Sequence, residues 1–303
     1  MSRLIVALVV LLSFGAQTVH AVGYVSTPLA SPEPANWAYP EWFADTLWLG
    51  DHIDDESLSI IALTPLDEFE ATHIPGAVQT DWPEWEIVET SDQSVVAWRS
   101  EVERMLTSLG VERSDTVVVY DGGTFYAVRI WWILHQLGHE DVRILNGGLE
   151  AWLADGKEVQ SGSAEPSPAA EPYVGEPDES AVAQIAEVET AFEQGRTAFV
   201  DARSADEYAD GHIPGAVNIP FTDNAEASGP KYWKNPGDLR EMYVSAGVLP
   251  DGSVIPYCTT GVRSAATYFA LLQLGYSDVS LFTGSFKEWA SDPDRPVTTG
   301  PKP

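Results

Sequence analysis

Cysteine is nearly absent from this chain of 303 residues: Cys258 is the sole one. An internal disulfide is therefore excluded, stability has to come from packing, and the thiol stays available for reaction. Basic residues are scarce as well, 16 Lys and Arg against 46 Asp and Glu, for a formal net charge of −30. So acidic a chain is not expected to bind nucleic acid or an anionic membrane surface. Long apolar runs are also missing. The longest, Leu4 to Leu12, extends to only 13 residues even when carried to Ala16, short of the roughly 20 that cross a bilayer. With Arg3 before it and Val19-His20-Ala21 after it, the run reads as a signal peptide over residues 1–21, cleaved after Ala21. No Cys follows it, which argues against a lipoprotein anchor. The mature chain is thus expected to be exported, periplasmic or extracellular, with no membrane contact after cleavage.

What is present is a repeat. D-E-F-E-A-T-H-I-P-G-A-V (Asp67 to Val78) returns as D-E-Y-A-D-G-H-I-P-G-A-V (Asp206 to Val217), at an offset of 139. Leu137-Gly138 returns as Leu274-Gly275, and Gly147 to Trp152 as Gly284 to Trp289, at an offset of 137. The order of matches is kept, so two tandem copies of one fold follow. Apolar runs (Ile60 to Leu63, Val117 to Tyr120, Val142 to Leu145; Ala198 to Val200, Val254 to Tyr257, Val279 to Phe282) alternate with helical patterns such as Arg129 to Leu137 and Ser264 to Leu274. This predicts an α/β fold in which each copy is a mostly parallel sheet flanked by helices. The expected plan is a first domain over 38–158, a linker over 159–180 exposed because it is rich in Pro, Ser, Ala and Glu, and a second domain over 181–298.

Cys258 opens Y-C-T-T-G-V-R-S-A-A between a predicted strand and a predicted helix. A thiol there meets the free N–H groups and positive dipole end of the helix, which lower its pKa and stabilise an anion on or beside the sulfur. Only Thr259, Thr260, Gly261 and Val262 separate Cys258 from Arg263, one residue fewer than in cysteine phosphatases. The smaller ring suits the outer sulfur of a persulfide better than a phosphoryl group. Aligned at the 137 offset, Cys258 falls opposite Asp121, so one copy carries the nucleophile. The other is expected to close one side of the cleft.

These residues together resemble the two-domain rhodanese family of thiosulfate and 3-mercaptopyruvate sulfurtransferases. The likeness rests on H-I-P-G-A in both copies, D-A-R-S at Asp201 to Ser204, C-T-T-G-V-R followed by Ser264, G-S-F-K-E-W at Gly284 to Trp289, and D-G-G-T-F-Y-A-V-R-I-W-W at Asp121 to Trp132. It implies two rhodanese-like domains, the first inactive and the second catalytic. Cys258 would take a sulfane sulfur as a persulfide from a small-molecule donor and pass it to a thiophilic acceptor such as cyanide or a thiol, with no cofactor and no metal. Thr259, Thr260, Gly261, Val262, Arg263 and Ser264 would line the substrate site. Mercaptopyruvate members carry C-G-S-G-V-T, a pair of substrate arginines after D-x-R, and a Ser/His/Asp relay. Here the loop differs, the arginines are missing, and the relay places hold Thr260, His73 and Thr64, so thiosulfate is the expected donor. A mercaptopyruvate enzyme, a non-catalytic sulfur carrier and a Cys-dependent phosphatase or arsenate reductase stand as alternatives. The sequence leaves the oligomeric state open.

Other conspicuous residues have structural readings. Arg203 is expected to tie a strand end to a neighbouring loop, and His73 and His212, placed identically in the two copies, to brace the turn before Ile-Pro-Gly. His135 and His139 have the i, i+4 spacing of a metal pair, but Gly138 is expected to end the helix between them. Trp131 and Trp132, like Trp82 and Trp85, are expected in the core or at the domain interface.

Overall fold

The computed structural model describes residues 36–87 and 89–303; the signal segment expected over 1–21 lies outside them. In the first copy the elements run β1 (Phe43–Ala44), α1 (Thr46–His52), β2 (Leu58–Leu63), α2 (Leu66–Ala71), β3 (Ala77–Thr80), α3 (Asp92–Ser108), β4 (Thr116–Tyr120), α4 (Val128–Gln136), β5 (Asp141–Leu145) and α5 (Gly148–Ala154). The second follows as α6 (Ile185–Gln194), β6 (Ala198–Asp201), α7 (Ala205–Asp210), β7 (Val217–Asn218), α8 (Pro236–Ser245), β8 (Val254–Tyr257), α9 (Ser264–Gln273) and α10 (Ser285–Trp289). Both sheets are parallel, in the order β1-β5-β4-β2-β3 and β7-β6-β8.

The repeat is visible in the hydrogen bonds. Ala62 of β2 stands opposite Tyr120 of β4, as Asp201 of β6 stands opposite Tyr257 of β8. The Tyr120 hydroxyl accepts the Ile74 N–H at 3.1 Å and the Tyr257 hydroxyl that of Ile213 at 3.2 Å. One expected strand is thinner than its apolar run suggested: Val279 to Phe282 continues the second sheet only through the isolated parallel bridges Val254–Val279 and Val182–Leu281. Pro256 explains it. Val254 gives its N–H to Asp278, and Ser280 and Phe282 give theirs to Val254 and Pro256, but Pro256 has none to return. Its counterpart in the first sheet is Val119, paired in register with Ile144 of β5.

Local signals start several helices. Ser204 and Glu207 form a capping box on α7, Ser91 caps α3, and Asn235 caps α8 ahead of Pro236. α4 and α9 are buried along most of their length and lie back to back in a core that both domains share. Trp131 meets Phe269 edge-on there at 4.7 Å, with Trp42 and Trp233 packed around them. Polar ties reinforce the join: Glu288 accepts the Thr90 N–H and hydroxyl, both at 2.7 Å, and Gln273 exchanges two hydrogen bonds with the Tyr39 backbone. The linker is mostly exposed as its composition predicts, with one correction. Tyr173 is buried, stacked on His139 with its hydroxyl 3.0 Å from the Nδ1 atom, and its N–H reaches the Thr107 hydroxyl. An aromatic ring inside a polar tract thus anchors the crossing segment.

Candidate active site

β8 ends at Tyr257 and α9 begins at Ser264, so residues 258–263 turn the chain from the sheet edge into a helix N-terminus. Gly261 makes the turn possible. It has φ +85°, and a Cβ there would lie 2.5 Å from the Thr283 carbonyl oxygen. Its N–H points back to the Cys258 sulfur at 3.2 Å. From the other side Ser285 accepts the Cys258 N–H at 3.1 Å and donates to Phe282 O, while Phe286 and Lys287 give their N–H groups to Cys258 O and Thr259 O. The start of α10 therefore pins the loop, which is the physical content of the repeated G-x-x-x-x-W run. Ser285 holds φ +57°, where the first domain places Gly148.

Cys258 is 1% exposed. Burial pushes its thiol pKa up, but the Arg263 charge, the Ser264 N–H and hydroxyl, and the Thr260 N–H pull it down further, leaving it below the ordinary thiol range. The sulfur is thus almost wholly buried, yet its thiol ionises more readily than an ordinary one. It lies against a cleft of ≈ 300 Å³. Thr259, Thr260, Val262 and Arg263 from the loop, Glu207 from α7, and Trp82, Glu86 and Tyr126 from the first domain complete the lining. Of the loop residues expected at the site, Gly261 and Ser264 are buried and act toward the sulfur, while the rest face the cleft.

Arg263 is not free. Its Nη1 and Nη2 atoms donate to the two Glu207 carboxylate oxygens at 2.8 and 2.7 Å, and Nη2 also reaches the Thr259 hydroxyl at 2.7 Å. The clamp raises the Arg263 pKa and lowers that of Glu207 to about 2. A second cation lies deeper. Arg129 of α4 is fully buried, donates to Trp85 O at 3.1 Å, and packs on the rings of Trp132 and Trp98 at 4.6 and 5.5 Å. Burial lowers its pKa to about 10, against the raising effect of charge on Cys258 and Glu86.

The corresponding turn of the first domain shows what this backbone is built to hold. Asp121 Oδ1 accepts the N–H groups of Gly123 and Thr124 at 2.7 and 2.8 Å, and Oδ2 that of Ala127 at 2.8 Å. At the 137 offset these donors are Thr260, Gly261 and Ser264, the residues whose N–H groups act on the sulfur. Both loops are anion cradles.

Arg203 ties a strand end to a loop, as expected: it pairs with Asp201 at 2.5 Å, donates to Gly211 O at 2.6 Å and lies 4.1 Å above the Phe286 ring. His73 and His212 stack on Phe69 and Tyr208, and each Nδ1 lies 2.8 Å from the carbonyl of that same residue. Thr64 donates to Glu68, so neither His73 nor Thr64 joins Thr260 in the cleft. His139 uses both ring nitrogens, on the Tyr173 hydroxyl and Asp115 O, and His135 stacks on Trp131 with its pKa lowered to about 4 by burial. Trp131, Trp132 and Trp85 are core residues, whereas Trp82 lines the cleft and corrects the expectation of packing alone. Sequence reasoning missed Glu207, Tyr126, Glu86 and Ser285. The repeat held one clue: Tyr126 aligns with Arg263 and so had to lie near a cradle.

The family model described as the rhodanese-like domain matches residues 45–155 and again 184–292. The chain is similar to a putative thiosulfate sulfurtransferase of Saccharopolyspora erythraea, 32% identical over 274 residues, which cover 83% of this chain and 94% of the relative. It is similar also to a sulfur carrier protein of Thermus thermophilus, 29% identical over 290 residues, 87% of this chain and 99% of the relative. Among solved structures, a 3-mercaptopyruvate sulfotransferase of Escherichia coli superposes with a TM-score of 0.71 at 30% identity, over 82% of this chain and 99% of that one.

Proposed function

Because the chain belongs to the rhodanese family of sulfurtransferases, we propose that it moves a sulfane sulfur from thiosulfate or a related donor to cyanide or a thiol through a persulfide on Cys258. The Cys258 thiolate attacks the outer sulfur of thiosulfate, the S–S bond breaks, and sulfite leaves with the electron pair. The acceptor then attacks the outer sulfur of the persulfide, and the thiolate is regenerated. The observation that carries this reading is the cradle of N–H groups around a thiol of lowered pKa that faces a cleft. Charge that migrates between the cysteine sulfur and the atom it carries stays within reach of fixed donors, and no separate base is needed.

Thiosulfate is the preferred donor on this account. Among the described residues Arg263 is the one Lys or Arg that lines the cleft, and Glu207 holds both of its terminal nitrogens, so a bidentate grip on a substrate carboxylate has no ready partner. Incubation with thiosulfate and cyanide should yield thiocyanate, and Cys258→Ala should lose that activity; equal rates in the two proteins would end the proposal. Mercaptopyruvate in place of thiosulfate should react more slowly. Export is part of the same reading, from the leader-like residues 1–21, and is checked by whether the mature protein begins at Val22.

The 1% exposure of Cys258, together with the likeness to a sulfur carrier, favours one second reading: sulfur received from a partner and handed on. A single added sulfur by intact mass, without repeated turnover of small donors, would select it.

A further inference from the structure

We propose that the first domain carries a second ligand site, a pocket for an alkylguanidinium cation, at the place where the second domain keeps its own Arg203. The repeat supplies the template. In the second domain the Arg203 guanidinium pairs with Asp201, donates to Gly211 O, and lies over the Phe286 ring at 4.1 Å and 5.9 Å from the Tyr257 ring. The strand registers and the tyrosine hydroxyl bonds make Tyr120 the counterpart of Tyr257 and Ala62 that of Asp201. On the same offsets Thr64 replaces Arg203, Thr72 replaces Gly211 and Leu149 replaces Phe286. The Asp–Arg pair is gone, the tyrosine remains, and a leucine side chain stands where the phenylalanine ring was.

What remains is a cavity of ≈ 310 Å³ whose lining includes Thr64, Thr72, Tyr120 and Leu149, each at a position where its counterpart in the second domain is Arg203 or touches it. The cavity is separate from the Cys258 cleft and shares no lining residue with it. Its walls suit a flat, weakly hydrated cation with an alkyl stem: Tyr120, Leu149 and Leu153 line it together with the carboxylate-bearing Glu68 and Glu150. The Thr64 hydroxyl donates to Glu68 at 3.1 Å and orients that carboxylate. Among the described residues no Lys or Arg lines the cavity, so the charge pattern selects a cation, and the loss of Asp201's counterpart is offset by carboxylates from elsewhere in the wall. The inference does not depend on Cys258 chemistry.

Arginine methyl ester is the probe, titrated calorimetrically into the full chain beside the neutral isostere citrulline methyl ester. Saturable binding of the first, at least about tenfold tighter than the second, is expected; equal affinities, or no binding of either, overturn the site. Ala62→Asp with Thr64→Arg rebuilds the missing pair from within and should abolish binding while sulfur transfer is unchanged. Should that variant not fold, Glu68→Gln with Glu150→Gln, both on exposed residues, should weaken binding about tenfold or more. Binding that persists unweakened in a folded variant of either kind overturns the assignment. A blocked Gly-Arg-Gly peptide distinguishes the source: tighter binding than the ester assigns a partner protein's arginine, weaker binding a free small molecule.

Discussion

Two loops of this chain share one backbone design and differ in what sits at its centre. In the first domain the Asp121 carboxylate fills the cradle and takes three N–H groups, from Gly123, Thr124 and Ala127, at 2.7 to 2.8 Å. In the second a sulfur occupies the same place, and the Gly261 N–H approaches it at 3.2 Å. A carboxylate ends the matter, because it cannot take up a sulfur atom and release it again. A thiolate keeps the cradle's charge preference and can form and break a bond to a second sulfur. The surroundings diverge accordingly. Arg263 stands beside the sulfur, where the first loop has Tyr126, and that tyrosine turns outward to line its neighbour's cleft. The copy without the thiol thus supplies a wall of the cleft beside Cys258.

The largest test of this equivalence is Gly261→Ala. With φ +85° and the Thr283 carbonyl 2.5 Å from the new Cβ, the turn must shift and carry its N–H away from the sulfur. Thiocyanate formation should fall about a hundredfold, as for a reacting group displaced by about 1 Å, with a stability loss of about 1–3 kcal/mol in urea unfolding. A variant of near-normal rate would show that the amide cradle is incidental.

Asp121→Ala should separate the loops the other way. It leaves three N–H donors without their carboxylate and should destabilise the protein by about 3 kcal/mol, while the rate of the folded enzyme changes less than about threefold. A large rate loss at intact stability would mean that Asp121 acts in the reaction.

Arg263→Met should bring the sulfur closer to an ordinary thiol. Arg263 is the leading favourable influence on the Cys258 thiolate, so the pH midpoint of alkylation by iodoacetamide should rise, and the rate at neutral pH should fall several-fold. An unchanged midpoint would assign the thiolate to the amides alone.

The smallest effect concerns Glu207. Its pKa is lowered to about 2, first by the hydrogen bond to Arg263, so it binds a proton less readily folded than unfolded. Its contribution to stability is present above the ordinary carboxylate pKa of 4.5 and is lost as pH falls from there toward about 2. Glu207→Gln should therefore flatten stability over that acid window; wild-type steepness in the variant would show that other carboxylates govern the acid limb. The part-exposed pair makes the change modest.

Much of the half that holds Cys258 was legible in the sequence. The Cys258 loop, Gly261, the opposition of Cys258 to Asp121, the twinned histidine turns and the strand-tying Arg203 all follow from short runs whose partners lie within about ten residues or recur in the repeat. The sequence also placed Trp131, Trp132 and Trp85 correctly in the core. A carboxylate partner for Arg263 was one reading of the sequence, but it did not name Glu207, nor Ser285 beneath the loop, nor Trp82, Glu86 and Tyr126 as cleft walls. Those contacts join segments dozens to more than a hundred residues apart, and nothing in the local pattern of either partner names the other. Pro256 was in view, yet its effect on the sheet depends on which neighbour would have received its N–H.

By itself the sequence determined that one fold occurs twice and that a helix start meets a thiol in one copy and a carboxylate in the other. Turn chemistry and backbone donors act over a few residues, so identity alone specifies them. Only the tertiary structure decided that the shared α4–α9 core sets Trp82, Glu86 and Tyr126 of the first domain beside Cys258, and that a cavity lies open where Arg203 has no twin. Packing is long-range: which side chains converge, and which gap stays unfilled, depends on the whole set of faces being buried together.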